Sequence, residues 1–322
     1  MAYFLISVSN RNNLDLCIQY AMAGFTNSVN GAWTFVEIQE GDYISFLYGA
    51  KAYNLYRVEE KLAFKDANNL PPWPPVTFRM SGNTYYFPFR LFLKPIRKFA
   101  EPLVRVEFSY VAENLLLRGG YRRTHFQADQ TTLQAVSQMG DLYKDNTKKF
   151  DTENYKTFDL SFTKSSSSMK PPETFKFIEF ILQSAIRQHL YIEKNMKDLL
   201  QKTKVNLSPS TLEVLGEKAF PEGHIDILIK EAIPIGKSNS LILEIKTGAA
   251  HQKDVEQINK YVEELGNECL KGVLMASKFS GKIISLAKEK NVALFTYNFD
   301  NLDFSQRIEF NQLVDAISLH HI

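Results

Sequence analysis

The sequence has little cysteine. Cys17 and Cys269 stand far apart, so they make neither a zinc-ligand spacing nor a disulfide framework, and a reducing interior is expected. No uninterrupted apolar run approaches the length of a bilayer span. The start, "MAYFLISVSN", lacks the basic n-region and cleavable apolar core of a secretion signal. A cytoplasmic chain with no membrane partner is therefore expected. Charge of one sign is not in excess either: 38 Lys and Arg against 36 Asp and Glu leave +2. That excludes a global polycation, and any nucleic-acid contact must come from local patches. Tryptophan is scarce, Trp33 and Trp73 alone, beside 24 Phe and 15 Tyr. What the chain does have is length: 322 residues are too many for one small core and comfortable for two domains.

The first 110 residues read mostly as short strands. "YFLISVS", "GDYISFLYG", "AYNLYRVEEKLAF" and "YYFPFRLFLKPI" are strand-like, and a helix after "YFLISVS" carries Leu14, Cys17, Ile18 and Ala21 at helical spacing. "NNLPPWPPV" sets Trp73 among prolines and reads as a loop, as does the stretch holding Trp33. The polar segment ending in "SSSSMKPPE" reads as a linker over 151–172, between domains at 1–150 and 173–322. The second half alternates: a helix from Glu173, three strands, a helix with Val255, Ile258, Val262 and Leu265 on one stripe, then strand, helix, strand, helix. That order predicts an α/β domain on a mixed sheet. The fold class is thus α+β and α/β in two domains.

Alternation along "SLILEIK" puts Leu241, Leu243 and Ile245 on one face and Ile242, Glu244 and Lys246 on the other. In "HIDILIK", Asp226 shares a face with His224, and a hairpin pairing would bring it beside Glu244. Charges on a buried strand are costly unless they are paired, bind a metal or do chemistry. Two carboxylates with a lysine beside them suit a hard divalent cation. Glu244 and Lys246 alone could be an edge-strand ion pair worth little, but that leaves Asp226 and Gln257 unexplained. His224 reads as a supporting or structural residue.

This constellation resembles the PD-(D/E)XK nucleases. The family's acid falls on Asp226, and its triplet falls on Glu244, Ile245 and Lys246. Gln257 and Tyr261, at i and i+4, match the Q-x-x-x-Y element of the RecB-like branch, and Glu179, on an apolar stripe with Phe175, Leu182 and Ile186, matches the helix glutamate, with Glu173 as the other candidate. "GHIDIL…LILEIKTG…VEQINKY" is most similar to the nuclease domain of the NucS type, over about 173–280. The resemblance implies Mg²⁺, with Mn²⁺ as a substitute, held by Asp226, Glu244 and the Ile245 carbonyl with help from Glu179. It implies that Lys246 orients or deprotonates water or stabilises the phosphorane, that Gln257 supports the site, and that products carry a 5′-phosphate.

Residues 3–110 resemble the YTH and EVE domains of the PUA-like superfamily, in the strand leading to an Asn-rich helix start, the "GD…F" strand and the "W…P…R" segment. The tryptophan that follows the first helix in YTH domains is replaced here by Phe25. The resemblance implies a PUA-like curved β-barrel that holds a flipped, modified base among aromatics, with Trp33, Trp73, Phe25 and Tyr48 as candidate walls. Asn10 and Asn13 could read a base edge or cap the helix. Arg118, Arg122 and Arg123 in "RGGYRRTH" are candidate DNA-backbone contacts, and Lys94, Arg97 and Lys98 form a second basic cluster. Together these imply a modification-dependent restriction endonuclease on methylated double-stranded DNA, dimeric at least on DNA because two strands need two sites. The alternatives are a repair endonuclease for mismatched or branched DNA, a conventional restriction enzyme, and a non-catalytic reader.

Overall fold

In the computed structural model, residues 1–49, 51–77, 82–104, 124–220, 223–233 and 235–322 are described. The first half runs β1 (Tyr3–Ser7), α1 (Arg11–Tyr20), β2 (Met22–Phe25), α2 (Val29–Glu37), β3 (Tyr43–Tyr48), β4 (Lys51–Ala63), β5 (Val76–Thr77), β6 (Thr84–Tyr85), β7 (Phe89–Lys98), β8 (Leu103–Val104), β9 (His125–Ala128), α3 (Gln130–Ser137) and β10 (Asp141–Leu142). Its main sheet has the order β10-β7-β4-β3-β1-β9, with β2 on β7 and β8 on β4. β1 lies parallel to β3 and antiparallel to β9. Among the described residues no sheet closes into a barrel; the main sheet of the first half is mixed, and the expected PUA-like barrel is not borne out. Arg118, Arg122 and Arg123 lie outside the described residues.

Helix α2 was not legible as a helix, and Trp33 lies on it rather than in a loop. Every residue from Gly31 to Glu37 is buried. Val29, Ala32, Trp33 and Val36 do fall at helical spacing, but over only nine residues that period is a weak signal, and Gly31, Thr34 and Val36 all lower intrinsic propensity. Packing forms it instead.

The segment expected as a linker is partly folded. β11 (Ser161–Thr163) lies between β12 (Thr174–Lys176) and β18 (Ile308–Glu309), with Leu160 and Phe162 in the core. The helix expected from Glu173 therefore starts later, as α4 (Glu179–Tyr191), and breaks into α5 (Glu193–Thr203). There follow β13 (Leu212–Phe220), β14 (Gly223–Glu231), β15 (Ser240–Ala249), α6 (Gln252–Leu265), β16 (Cys269–Lys278), α7 (Gly281–Glu289), β17 (Ala293–Phe299), α8 (Phe310–Ala316) and β19 (Ile317–His321). The sheet order is β13-β14-β15-β16-β17-β19: β15, β16 and β17 are parallel, and the outer pairings are antiparallel. Helices cover both faces, so the central strands are apolar runs rather than half-polar alternations. No helix of the described residues is long and apolar enough to cross a membrane.

One apolar cluster runs from Phe4 and Trp33 through Leu182 and Ile186 to Leu243 and Met275, and so joins both halves. At its centre α2 packs on α4. Arg187 Nε lies 2.6 Å from Glu37 Oε1, with side chains 2% and 5% exposed, and Arg187 Nη2 donates to the Glu37 carbonyl at 2.8 Å. A pair this deep adds little net stability, but removing one partner strands a charge at a cost of about 3–5 kcal/mol. It fixes how the helices meet.

Candidate active site

The β14–β15 ladder ends at Ile227–Leu243, one position short of Asp226 and Glu244. There the backbone is served differently: Asp226 Oδ2 accepts the Ile245 N–H at 2.7 Å. The aspartate thus replaces a ladder partner at the middle residue of the triplet. Leu243 and Ile245 enter one core cluster and Ile242 the other, as alternation requires. Glu244, only 2% exposed, accepts Lys246 Nζ at its Oε1 at 2.6 Å. Lys246 Nζ also lies 3.8 Å from Glu179 Oε1, while Glu179 Oε2 accepts the Thr247 N–H at 3.3 Å. Glu173, in contrast, pairs with Lys170 in the turn before β12. The helix acid brought to the site is Glu179, because the residues between the two glutamates are spent on a strand.

Gln257 meets the site through Tyr261. Its Nε2 donates to the Tyr261 hydroxyl at 2.9 Å, and that hydroxyl donates to the His224 carbonyl at 3.2 Å. Tyr261 is buried against Phe220, which makes it a strut for the strand that carries Asp226. A Cβ at Gly223 would sit 2.5 Å from the Tyr261 hydroxyl oxygen, and its φ of +149° also calls for glycine. Tyr297 was missed by sequence reasoning. Its hydroxyl donates to the Lys246 and Thr247 carbonyls at 3.1 and 3.0 Å. The only signal is a tyrosine on the last parallel strand, which becomes meaningful once the register aligns Lys246, Ala276 and Thr296.

Burial pushes the Asp226 carboxyl well above its usual range, and the charge on Glu244 pushes the same way. Burial likewise raises Glu244 to about 7, against the pull of Lys246. At Lys246 burial acts downward, but Glu244, Asp226 and Glu179 together outweigh it and the amine is raised. Lys246 therefore stays protonated at neutral pH. No three His, Cys, Asp or Glu side chains converge as a ready cage among the described residues. The carboxylate pair still fits a divalent cation on two grounds. Glu244 Oε2 is buried with no hydrogen-bond partner among the described residues, and hard oxygen donors that repel each other need a positive charge between them.

Of the candidate base walls, the structure brings Phe25 and Trp73 to one cavity of about 170 Å³, together with Phe87, Phe46, Asn13 and Cys17. The Trp73 indole is held from behind by the Arg90 guanidinium at 4.3 Å and lies so close to Gly24 that a Cβ there would come within 2.6 Å. Trp33 and Tyr48 are not among the side chains around this cavity. Trp33 is 7% exposed and faces α4. Asn10 caps α1 by accepting the Asn13 N–H at 2.8 Å. Lys94 and Lys98 pair with Glu59 and Asp145 on the exposed surface.

Residues 192–309 match the family model described as the Endonuclease NucS C-terminal domain, which supports a nuclease domain in the second half of the chain. The matched stretch holds Asp226, Glu244, Lys246 and Gln257, and leaves out Glu179. Among solved structures, a repair endonuclease from Pyrococcus abyssi matches at 19% identity over 31% of this chain and 43% of its own (TM-score 0.23). EndoMS in apo form matches at 21% over 32% and 44% (TM-score 0.21). EndoMS in complex with double-stranded DNA matches at 13% over 75% of each (TM-score 0.23). The chain spans less than half the length of the first two. No curated protein matches it.

Proposed function

We propose that the chain is a divalent-metal DNA endonuclease whose second half cuts and whose first half selects a modified base. The observation that carries the nuclease reading is the meeting of Asp226, Glu244, Lys246 and Glu179 at the end of one ladder. Asp226 and Glu244, with the Ile245 carbonyl and help from Glu179, would hold Mg²⁺, or Mn²⁺ in its place. The bound ion supplies polarisation of a phosphoryl oxygen and a lowered pKa for water. A lysine whose pKa is raised by three carboxylates is a poor base. It orients the attacking water by donation and stabilises negative charge as it grows on the phosphoryl oxygens. Gln257 and Tyr261 hold β14 in place, and Tyr297 holds the end of β15. The cleaved strand would carry a 5′-phosphate. Two strands need two sites, so a homodimer forms at least on DNA.

Selection rests on the cavity walled by Phe25 and Trp73. At about 170 Å³ it is small beside the ~300–1,000 Å³ of a drug-sized site and suits one planar ring with a methyl group. Stacking recovers about 1–3 kcal/mol per base, against a flipping cost of a few kcal/mol that is lowest for a damaged or mispaired base. The same plasmid, carrying N6-methyladenine, 5-methylcytosine or neither, is the test substrate. The chain is expected to cut one methylated form at least about tenfold faster than the bare one, and Trp73→Ala to erase that ratio while leaving slow cutting in place. Equal cutting of all three forms by the wild type would sink the reader. The match to the NucS C-terminal domain favours a second reading, a repair endonuclease, which predicts preference for mismatched or branched DNA instead.

A further inference from the structure

We infer that Trp33 is a positioning residue for the nuclease site, acting through Glu179; this rests on the nuclease reading above. Glu179 is the first residue of α4, and the preceding Ile178 offers no side-chain cap. First turns have unsatisfied N–H groups and fray unless something outside holds them. Within the nuclease half, Glu179 has a long hydrogen bond to Thr247 N at 3.3 Å and a loose contact with Lys246 at 3.8 Å. Neither fixes a carboxylate that must meet a phosphate-bound site to within a fraction of an ångström.

β12 anchors the backbone before the helix, where Phe177 N–H donates to the Thr163 carbonyl at 2.8 Å, and a further restraint on the first turn comes from the other half of the chain. The Trp33 indole stacks on Phe180, the residue after Glu179, at 4.7 Å and 20° between planes. Its Nε1 donates to Ser184 Oγ, one turn further along α4, at 2.9 Å. One rigid ring thus grips the helix at two points beside the acid. The ring itself sits on a helix whose first turn is capped and tightly packed. Ser28 caps α2 through the Gly31 N–H at 3.2 Å, and a Cβ at Gly31 would fall 1.9 Å from the Thr26 carbonyl oxygen. Further along, Gln188 Nε2 donates to the Val36 carbonyl at 2.6 Å beside the Arg187–Glu37 pair. These contacts tie α2 to the start of α4, with Trp33 the contact beside Glu179.

The test is single-turnover cleavage of supercoiled plasmid DNA in Mg²⁺ by wild type, Trp33→Leu, Trp33→Phe, Glu179→Gln and each double variant. Trp33→Leu is expected to slow the cutting step at least about tenfold with DNA affinity within about twofold. Trp33→Phe, which keeps a stacking ring but loses the Nε1 donor, is expected to lose only about threefold. In the Glu179→Gln background neither change slows cutting by more than about twofold, because the group they position is already gone. If Trp33→Leu does not fold, Trp33→Phe serves alone, with an expected loss of about threefold that vanishes with Glu179→Gln. An unchanged cutting step in both Trp33 variants, or the same loss with and without Glu179, overturns the inference. A wild type that cuts neither N6-methyladenine, 5-methylcytosine nor bare plasmid in Mg²⁺ or Mn²⁺ overturns the nuclease reading itself.

Discussion

Lys246→Ala is expected to slow DNA cleavage by about 10³-fold, some 4 kcal/mol of transition-state stabilisation, without weakening divalent-ion binding. The two parts follow from one geometry. Lys246 Nζ sits 2.6 Å from Glu244 Oε1 and close to Glu179, and its raised pKa keeps it cationic. Toward developing phosphoryl charge it is the protein's own donor, and an alanine supplies nothing. Toward a second cation it is a competitor for the same carboxylate, so its removal leaves the ion's attraction to Glu244 unopposed. Cleavage rates and Mn²⁺ titration on the same variant separate the effects. Loss of ion binding in step with loss of cutting would mean that Lys246 serves only to hold Glu244, and the role assigned here would fall.

Mg²⁺ is expected to raise the melting temperature by several degrees at pH 8 and by under about 1 °C at pH 5.5. Glu244 is raised from 4.5 to about 7, chiefly by burial, and Asp226 is raised for the same reason. The folded carboxyls therefore bind protons more tightly than the unfolded chain does. Stability from the protonated forms is present at low pH and is lost as the pH climbs from about 4.5 through about 7. For Glu244 alone that loss is about 3 kcal/mol. Buried Glu213, raised to about 7, adds a slope of the same sign away from the site. The ion takes the place of the proton at Asp226 and Glu244, and its binding energy adds to folding energy. Thermal scans with and without Mg²⁺ at both pH values check this, with Glu244→Gln as the control that should flatten the Mg²⁺ effect. A shift of equal size at both pH values, or one kept by Glu244→Gln, would speak against a carboxylate site.

The candidate site was largely legible because strand periodicity is fixed by the pleat. Leu241, Leu243 and Ile245 had to leave Glu244 and Lys246 on the opposite face, and a hairpin had to bring Asp226 alongside. What one strand pattern cannot carry is where the ladder stops. The Asp226–Ile245 hydrogen bond and the carbonyl anchors of Tyr297 are set by the sheet as a whole. The choice between Glu173 and Glu179 depended on a three-residue strand, β12, whose partner lies in a segment that composition marked as a linker. The first half was harder. α2 is only nine residues long and carries Gly31 in its first turn, so its period is a weak signal and Trp33 read as a loop residue free to wall a pocket. The mixed sheet, without barrel closure among the described residues, is likewise a matter of pairings between distant strands, which local alternation does not specify. β19 escaped notice because five strand residues follow α8 without a turn signal between them.

The central claim is that the Asp226–Glu244–Lys246 centre cuts DNA with a divalent ion. Its most direct test is sequencing of the DNA ends made from methylated and bare plasmid by wild type and Asp226→Asn, in Mg²⁺ and in EDTA. New 5′-phosphate ends are expected only with wild type and Mg²⁺. Ends that persist in EDTA or with Asp226→Asn, or no ends from any substrate in Mg²⁺ or Mn²⁺, would contradict it.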